Sequence, residues 1–251
     1  MHIGIICAID REFEKLKQFI QISMTSDNVS AREFFTGTAH GVKITIVKCG
    51  IGKVSSAITV TALHLNFKVD KIIFVGCAAS VDKSLKLGDI VVGESAVQHD
   101  FDGRPFVEQC VVFAVGKSEI EADKDLVKVC MTASKKYAAG DYLKLKDLEA
   151  FSIEKPIVVS GVIATGDQFI KNKEEVAQIA LKVPKALAVE MEGAAVAQAC
   201  FELKIPYGLV RVISDGGDHF DFEEFANKIV GEVTFGIIME VLSELGKSIK
   251  E

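Results

Sequence analysis

Acidic residues that interrupt apolar runs mark where this chain can do chemistry. Between Ala186 and Asp218 two such runs close on carboxylates: ALAVEME delivers Glu190 and Glu192, and YGLVRVISD ends on Ser214 and Asp215. The small-residue stretch between them reads as a helix, so the unit is strand, helix, strand with its carboxylates at the strand ends. Open α/β sheets place their ligands at that edge. Extended backbone through the first run puts Glu190 and Glu192 on one face and Met191 on the other. Arg211 lies inside the second run, and a guanidinium buried there requires a carboxylate or similar acceptor. Solvated glutamates and a turn-forming Asp215 are the plain alternative, but charges rarely break apolar segments without a partner.

The rest of the chain supplies the frame. His2 to Ile9 is a continuous apolar run, the pattern of a strand covered on both faces. Asp10 caps a following helix in which Phe13, Leu16, Phe19 and Ile20 recur at helical spacing. Glu12 then falls in the first helical turn beside the end of the first strand. Position alone makes it a dipole-complementing acid worth less than ~1 kcal/mol. Arg32 to Ala39 and Val42 to Lys48 flank His40-Gly41 and predict an antiparallel hairpin, which makes the sheet mixed. Cys49 to Lys53 (CGIGK) matches neither glycine pattern of phosphate loops, so it reads as a tight turn before a helix from Val54 to about Asn66. Lys71 to Gly76 is a buried strand, and Cys77-Ala78-Ala79-Ser80 after it is small enough to let a ligand approach backbone amides. Gly88 to Val97 and Ile157 to Gly166 are further strands. His99 to Lys117 reads as a loop serving as lid or interface, Glu119 to Tyr137 as a helix, and Ala139 to Lys155 as a charged surface excursion. Phe169, in the GDQFI loop, is either core or a stacking platform. Phe222 to Leu245 is a closing amphipathic helix.

Composition narrows the class. With 251 residues, 49% of them hydrophobic, the chain predicts one α/β domain, residues 1–251, with a mixed central sheet flanked by helices. The net charge of -6 and the lack of a basic block argue against nucleic acid as a partner. Six cysteines form no CxxC pair and no Cys/His cluster with ligand spacing, so they read as reduced core thiols without a metal. No apolar run approaches the roughly 20 residues needed to cross a bilayer, and the start lacks a signal-peptide pattern. The expectation is a cytoplasmic protein that makes no use of a membrane.

Taken in order, GIICAIDREFE, CGIGKVSSA, KLGDIVV with a following HD, SGVIATGDQFI, VEMEGAAVAQ and VRVISD resemble the 5′-methylthioadenosine/S-adenosylhomocysteine nucleosidases, within the superfamily of nucleoside phosphorylases and nucleosidases. The resemblance runs from Ile3 to about Leu245. It implies a single nucleoside phosphorylase-like domain, a homodimer with the active site near the subunit interface, a small nucleoside substrate and no cofactor. It further implies that Glu12 activates water, Glu192 binds the ribose hydroxyls and Met191 packs on the sugar. Asp215 then protonates the purine at N7 with Ser214 in support, Arg211 stands near the attacking water, and Phe169 and Ile170 hold the base by stacking and by backbone hydrogen bonds. The family's usual Ser-Ala-Gly-Gly turn is Cys77-Ala78-Ala79-Ser80 here, so the contacts of Cys77 and Ala78 with ribose or water differ. Residues after Asp215 are shorter than usual, with Gly216-Gly217 in the base-side loop, and His99 to Lys117 matches poorly.

Cleavage of an N-ribosidic bond explains these residue types. Positive charge builds on the sugar while the leaving base takes negative charge, so one acid must protonate the base and one base must ready the water. A free aspartate has a pKa of about 3.9, and Asp215 needs desolvation or a suitable hydrogen bond to donate at neutral pH. Phosphate as nucleophile would need clustered arginines, and the chain has only Arg11, Arg32, Arg104 and Arg211. Bacterial-type purine nucleoside phosphorylases carry an arginine two residues before the glycine that is Gly76 here, and a serine after it; this chain has Phe74 and Cys77. The anionic Glu12 would also repel phosphate. Phosphorolysis, a futalosine-type nucleosidase, and a non-catalytic binding or adhesion protein are the other readings. The retained Glu12, Glu192 and Asp215 argue against the last, and the 5′-substituent stays open.

Overall fold

Apolar strands separated by helices collapse here into one mixed sheet, seen in a computed structural model that describes residues 1–20, 25–216 and 219–247. In chain order the elements are β1 (His2–Cys7), α1 (Asp10–Ile20), β2 (Thr25–Val29), β3 (Arg32–Ala39), β4 (Val42–Lys48), α2 (Lys53–Ala62), β5 (Lys71–Ser80), β6 (Ile90–Gln98), β7 (Glu119–Glu121) and α3 (Lys124–Ala138). They continue with β8 (Val158–Thr165), α4 (Lys173–Lys182), β9 (Ala186–Glu190), α5 (Gly193–Leu203), β10 (Tyr207–Asp215), α6 (His219–Phe225) and α7 (Gly231–Lys247). β1 lies between β4 and β5, parallel to both, and the β2–β3–β4 meander extends that side. On the other side β10 pairs with β5, β6 with β10, β8 with β6, and β9 with β8. β9 then returns to the end of β5 through Ala79 and Ser80, so five strands close on themselves.

Alternation along the central strands divides the core. Ile3, Ile5, Ile73, Val75, Val210 and Val212 face α1, α3 and α7, while Ile6, Ile72, Phe74, Leu209 and Ile213 face α2 and α5. Each fully buried aliphatic side chain contributes roughly 1.5–3 kcal/mol, which makes this two-sided core the main stabilising term. Alanines 194, 195 and 197 let α5 lie close to the sheet. Among the described residues, no helix is long and apolar enough to cross a membrane. No group of three or more His, Cys, Asp or Glu among them is placed to hold a metal ion.

Four expectations change. β5 runs on through Cys77 to Ser80 instead of stopping at Gly76, because those small residues pair with both β10 and β9. Residues 119–121 form β7 against β6, and the helix begins only at Lys124, where the Asp123 side chain accepts from the Leu126 amide at 2.9 Å. The stretch from Ala139 to Lys155 is pinned, since Tyr142 is fully buried and donates to the Gly88 carbonyl at 2.9 Å. β9 ends at Glu190, and Glu192 takes φ -137° and ψ -38° just before α5, so strand alternation does not separate Met191 from its neighbours. Gly217, expected in the base-side loop, lies outside the described residues.

Candidate active site

The ends of β1, β5, β9 and β10 and the turns after β4 and β8 meet at a cavity of about 380 Å³, a volume suited to a small molecule. Glu12 enters it from the first turn of α1 and is 1% exposed. One oxygen accepts from the amides of Ala8 at 2.8 Å and Ile9 at 3.2 Å; the other accepts from the Cys77 amide at 3.0 Å and faces the Cys77 thiol at 3.4 Å. A side chain on Gly76 would put its Cβ 2.8 Å from that second oxygen. Glu12 is therefore a buried acceptor held in place, not a surface acid complementing a dipole. Burial raises its pKa, against the opposing pull of Arg211 and the donated amides.

Glu192 lines the same cavity, with its Oε1 accepting from the Gly52 amide at 2.8 Å. Burial first and the Glu190 carboxylate second push its pKa up to about 8. The glycine turn CGIGK thus supplies an amide to a carboxylate that lines the cavity. Glu190, for which the sequence suggested only a position at a strand end, accepts from Arg211 Nη2 at 2.7 Å. It also accepts from the Glu192 amide at 3.1 Å, the Gly193 amide at 2.8 Å and the Thr165 hydroxyl. Arg211 is 1% exposed, donates to the Val210 carbonyl at 3.0 Å and lies 4.0 Å over the Phe74 ring. It sits beneath the cavity, not in its wall. The carboxylate that a buried arginine requires is thus the first glutamate of VEME, a signal the sequence contained. The Phe74 that replaces a phosphorylase-type arginine is the surface on which Arg211 rests.

Asp215 closes β10 and is 6% exposed. Ser214 Oγ lies 2.9 Å from Asp215 Oδ2 and 3.3 Å from the Ala78 carbonyl. Its single proton can serve only one of them; given to Ala78, it leaves the serine oxygen able to accept from a protonated Asp215. Cys77, Ala78, Met191, Phe169 and Ile170 also line the cavity. Phe169 is 37% exposed, so it is no core residue, and meets the Phe222 ring edge-on at 5.4 Å. Ile51, Phe222 and Glu223 are also part of the wall. Sequence reasoning missed these three, since Ile51 sits in a turn read as purely structural, and an isolated apolar or acidic residue in the helix-like run from Phe222 carries no sign of facing a cavity.

A family model described as the phosphorylase superfamily matches residues 2–242. A 5′-methylthioadenosine/S-adenosylhomocysteine nucleosidase of Staphylococcus saprophyticus is 34% identical over 229 residues, which is 90% of this chain and 92% of that protein. The chain belongs to the methylthioadenosine/S-adenosylhomocysteine nucleosidase family. That family's nucleosidase from Colwellia psychrerythraea, solved in complex with adenine, superposes with a TM-score of 0.86 at 31% identity, over 98% of this chain and 96% of that one. Futalosine hydrolase of Helicobacter pylori shares the architecture too, with a TM-score of 0.83 at 28% identity over 97% of this chain and 98% of the other. The mixed sheet flanked by helices is the fold the resemblance implied.

Proposed function

We propose that this protein hydrolyses the N-ribosidic bond of 5′-methylthioadenosine and S-adenosylhomocysteine, releasing adenine and the 5′-substituted ribose. The observation that carries the reading is that Glu12 and Asp215, from different elements, line one cavity. Glu12 takes a proton from water as its oxygen attacks the anomeric carbon. The bond to the base breaks, and Asp215, backed by Ser214, delivers its proton to N7 of the departing adenine. Glu192 accepts from the ribose hydroxyls with the oxygen not bound to Gly52, Met191 packs on the sugar, and Phe169 and Ile170 hold the base. Cys77 and Ala78 border the water and the ribose. Arg211 acts from below, its charge steadying the Glu12 carboxylate against burial.

Water is the nucleophile in this reading because the buried Arg211 is already matched by Glu190 and Glu12 occupies the place a phosphate would need. The working form is a homodimer of single-domain chains. Support comes from Ile51, Val54 and Ile58, an exposed apolar stripe at the start of α2 that runs into the cavity wall at Ile51. Six unpaired thiols suit a reducing cytoplasm.

Incubation with methylthioadenosine, with and without phosphate, tests the reaction. Free adenine and free sugar in both arms are expected. Sugar 1-phosphate would replace the reading with phosphorolysis, and binding without any adenine release would replace it with a non-catalytic role. S-adenosylhomocysteine, 5′-deoxyadenosine and futalosine run in parallel rank the 5′-substituent and base.

A further inference from the structure

A cluster of charges outside the cavity joins two of the turns that build it, through the segment that follows β6. Lys53 opens α2 immediately after the turn of residues 49–52. Its ammonium lies 2.7 Å from Asp100 Oδ1, just beyond β6, and 3.5 Å from Asp167 Oδ2, just beyond β8. Its own amide donates to Asp167 Oδ1 at 3.1 Å, and the Asp167 amide donates to Asp100 Oδ2 at 2.9 Å. None of the three residues lines the cavity. Lys53 is 18% and Asp100 27% exposed, so solvent screens this pair less than an ordinary surface ion pair. Burial alone would raise the Asp100 carboxyl, but the hydrogen bonds from Lys53 and the Asp167 amide outweigh it and hold the pKa below the usual value. A cation in the first turn opposes the α2 dipole, so helix stability does not account for this lysine.

What flanks the cluster is the site itself. One residue before Lys53, Gly52 holds Glu192 through its amide, from a φ of +98° that glycine adopts freely and that supplies no rigidity of its own. Two and three residues after Asp167, Phe169 and Ile170 form the cavity wall. We propose that Lys53 is a positioning residue that ties the turn holding Glu192 to the loop carrying Phe169 and Ile170. The two halves of a nucleoside are then gripped at a set separation. The identity of the occupant rests on the nucleosidase reading above; the clamp itself rests on the contacts.

The test compares Lys53→Met and Lys53→Arg with the unaltered protein. Lys53→Met is expected to raise KM for methylthioadenosine roughly tenfold with kcat little changed, because it loosens binding shared by ground and transition states. Calorimetric titration with free adenine should show weaker binding in the same variant, Lys53→Arg should recover most of both losses, and the melting temperature should hardly move. The KM penalty should shrink for a 2′,3′-dideoxy analogue, which gives Glu192 nothing to hold. Unchanged KM and adenine affinity in folded Lys53→Met overturns the proposal, as does a penalty equal for both nucleosides. Asp167→Asn and Asp100→Asn give the same readouts if the methionine variant fails to fold. An unaltered protein that released no adenine would overturn the nucleosidase reading alone, since the adenine titration still decides the clamp.

Discussion

Glu12, Glu190 and Glu192 share a buried patch with Arg211, three carboxyl groups against one guanidinium. Glu190 is satisfied directly by Arg211, so Glu12 and Glu192 meet the cost of burial and both are raised. For Glu192, raised from 4.5 to about 8, the folded protein keeps a proton that the unfolded chain has lost. The stabilisation from that proton is complete below about pH 4.5 and disappears as pH rises toward about 8. Melting temperatures of the ligand-free protein should therefore fall between pH 5 and 8, and Glu192→Gln should flatten the slope; a parallel slope in the variant would assign the effect elsewhere. Asp215 answers to a different measurement. Asp215→Asn should lose about 100-fold or more in kcat, the range of a general acid, while nucleoside affinity by calorimetry stays near that of the unaltered protein. Turnover at the original rate would remove Asp215 from the proton transfer.

At the scale of elements, the site depends on how closely β5 passes α1. Gly76 lets the strand approach until only a hydrogen would fit between its backbone and Glu12, and the next amide, on Cys77, then reaches the Glu12 carboxylate. Gly76→Ala should push Glu12 off its amides and lower kcat at least about tenfold, as misplacements near 1 Å do. The far-ultraviolet circular dichroism should remain that of the folded protein. A fully active alanine variant would mean that the close approach is incidental. α5 is governed in the same way from its start, where Glu190 accepts from the amides of Glu192 and Gly193 and so sets the direction in which Glu192 leaves the sheet.

For the whole molecule, the sheet and its flanking turns gather residues from seven segments around one cavity, and the exposed stripe on α2 continues outward from its rim. A charge placed in the stripe tests its purpose. Val54→Lys should shift the sedimenting species from dimer toward monomer and reduce activity with it, whereas an unaltered protein that sediments as a monomer would leave the stripe without a dimer to serve. The sequence by itself determined most of the central strands and helices, the hairpin at His40-Gly41, and the delivery of acids to strand ends, because periodicity and turn chemistry act over a few residues. It also dictated that Arg211 needed a partner. Only the tertiary structure decided which carboxylate that partner is, that Glu12 is buried among three amides and not solvated on a helix, and that residues 119–121 form a strand. It alone brought Lys53, Asp100 and Asp167 together from positions up to 114 residues apart. Burial and charge pairing are settled by neighbours distant in the chain, and no local pattern encodes them.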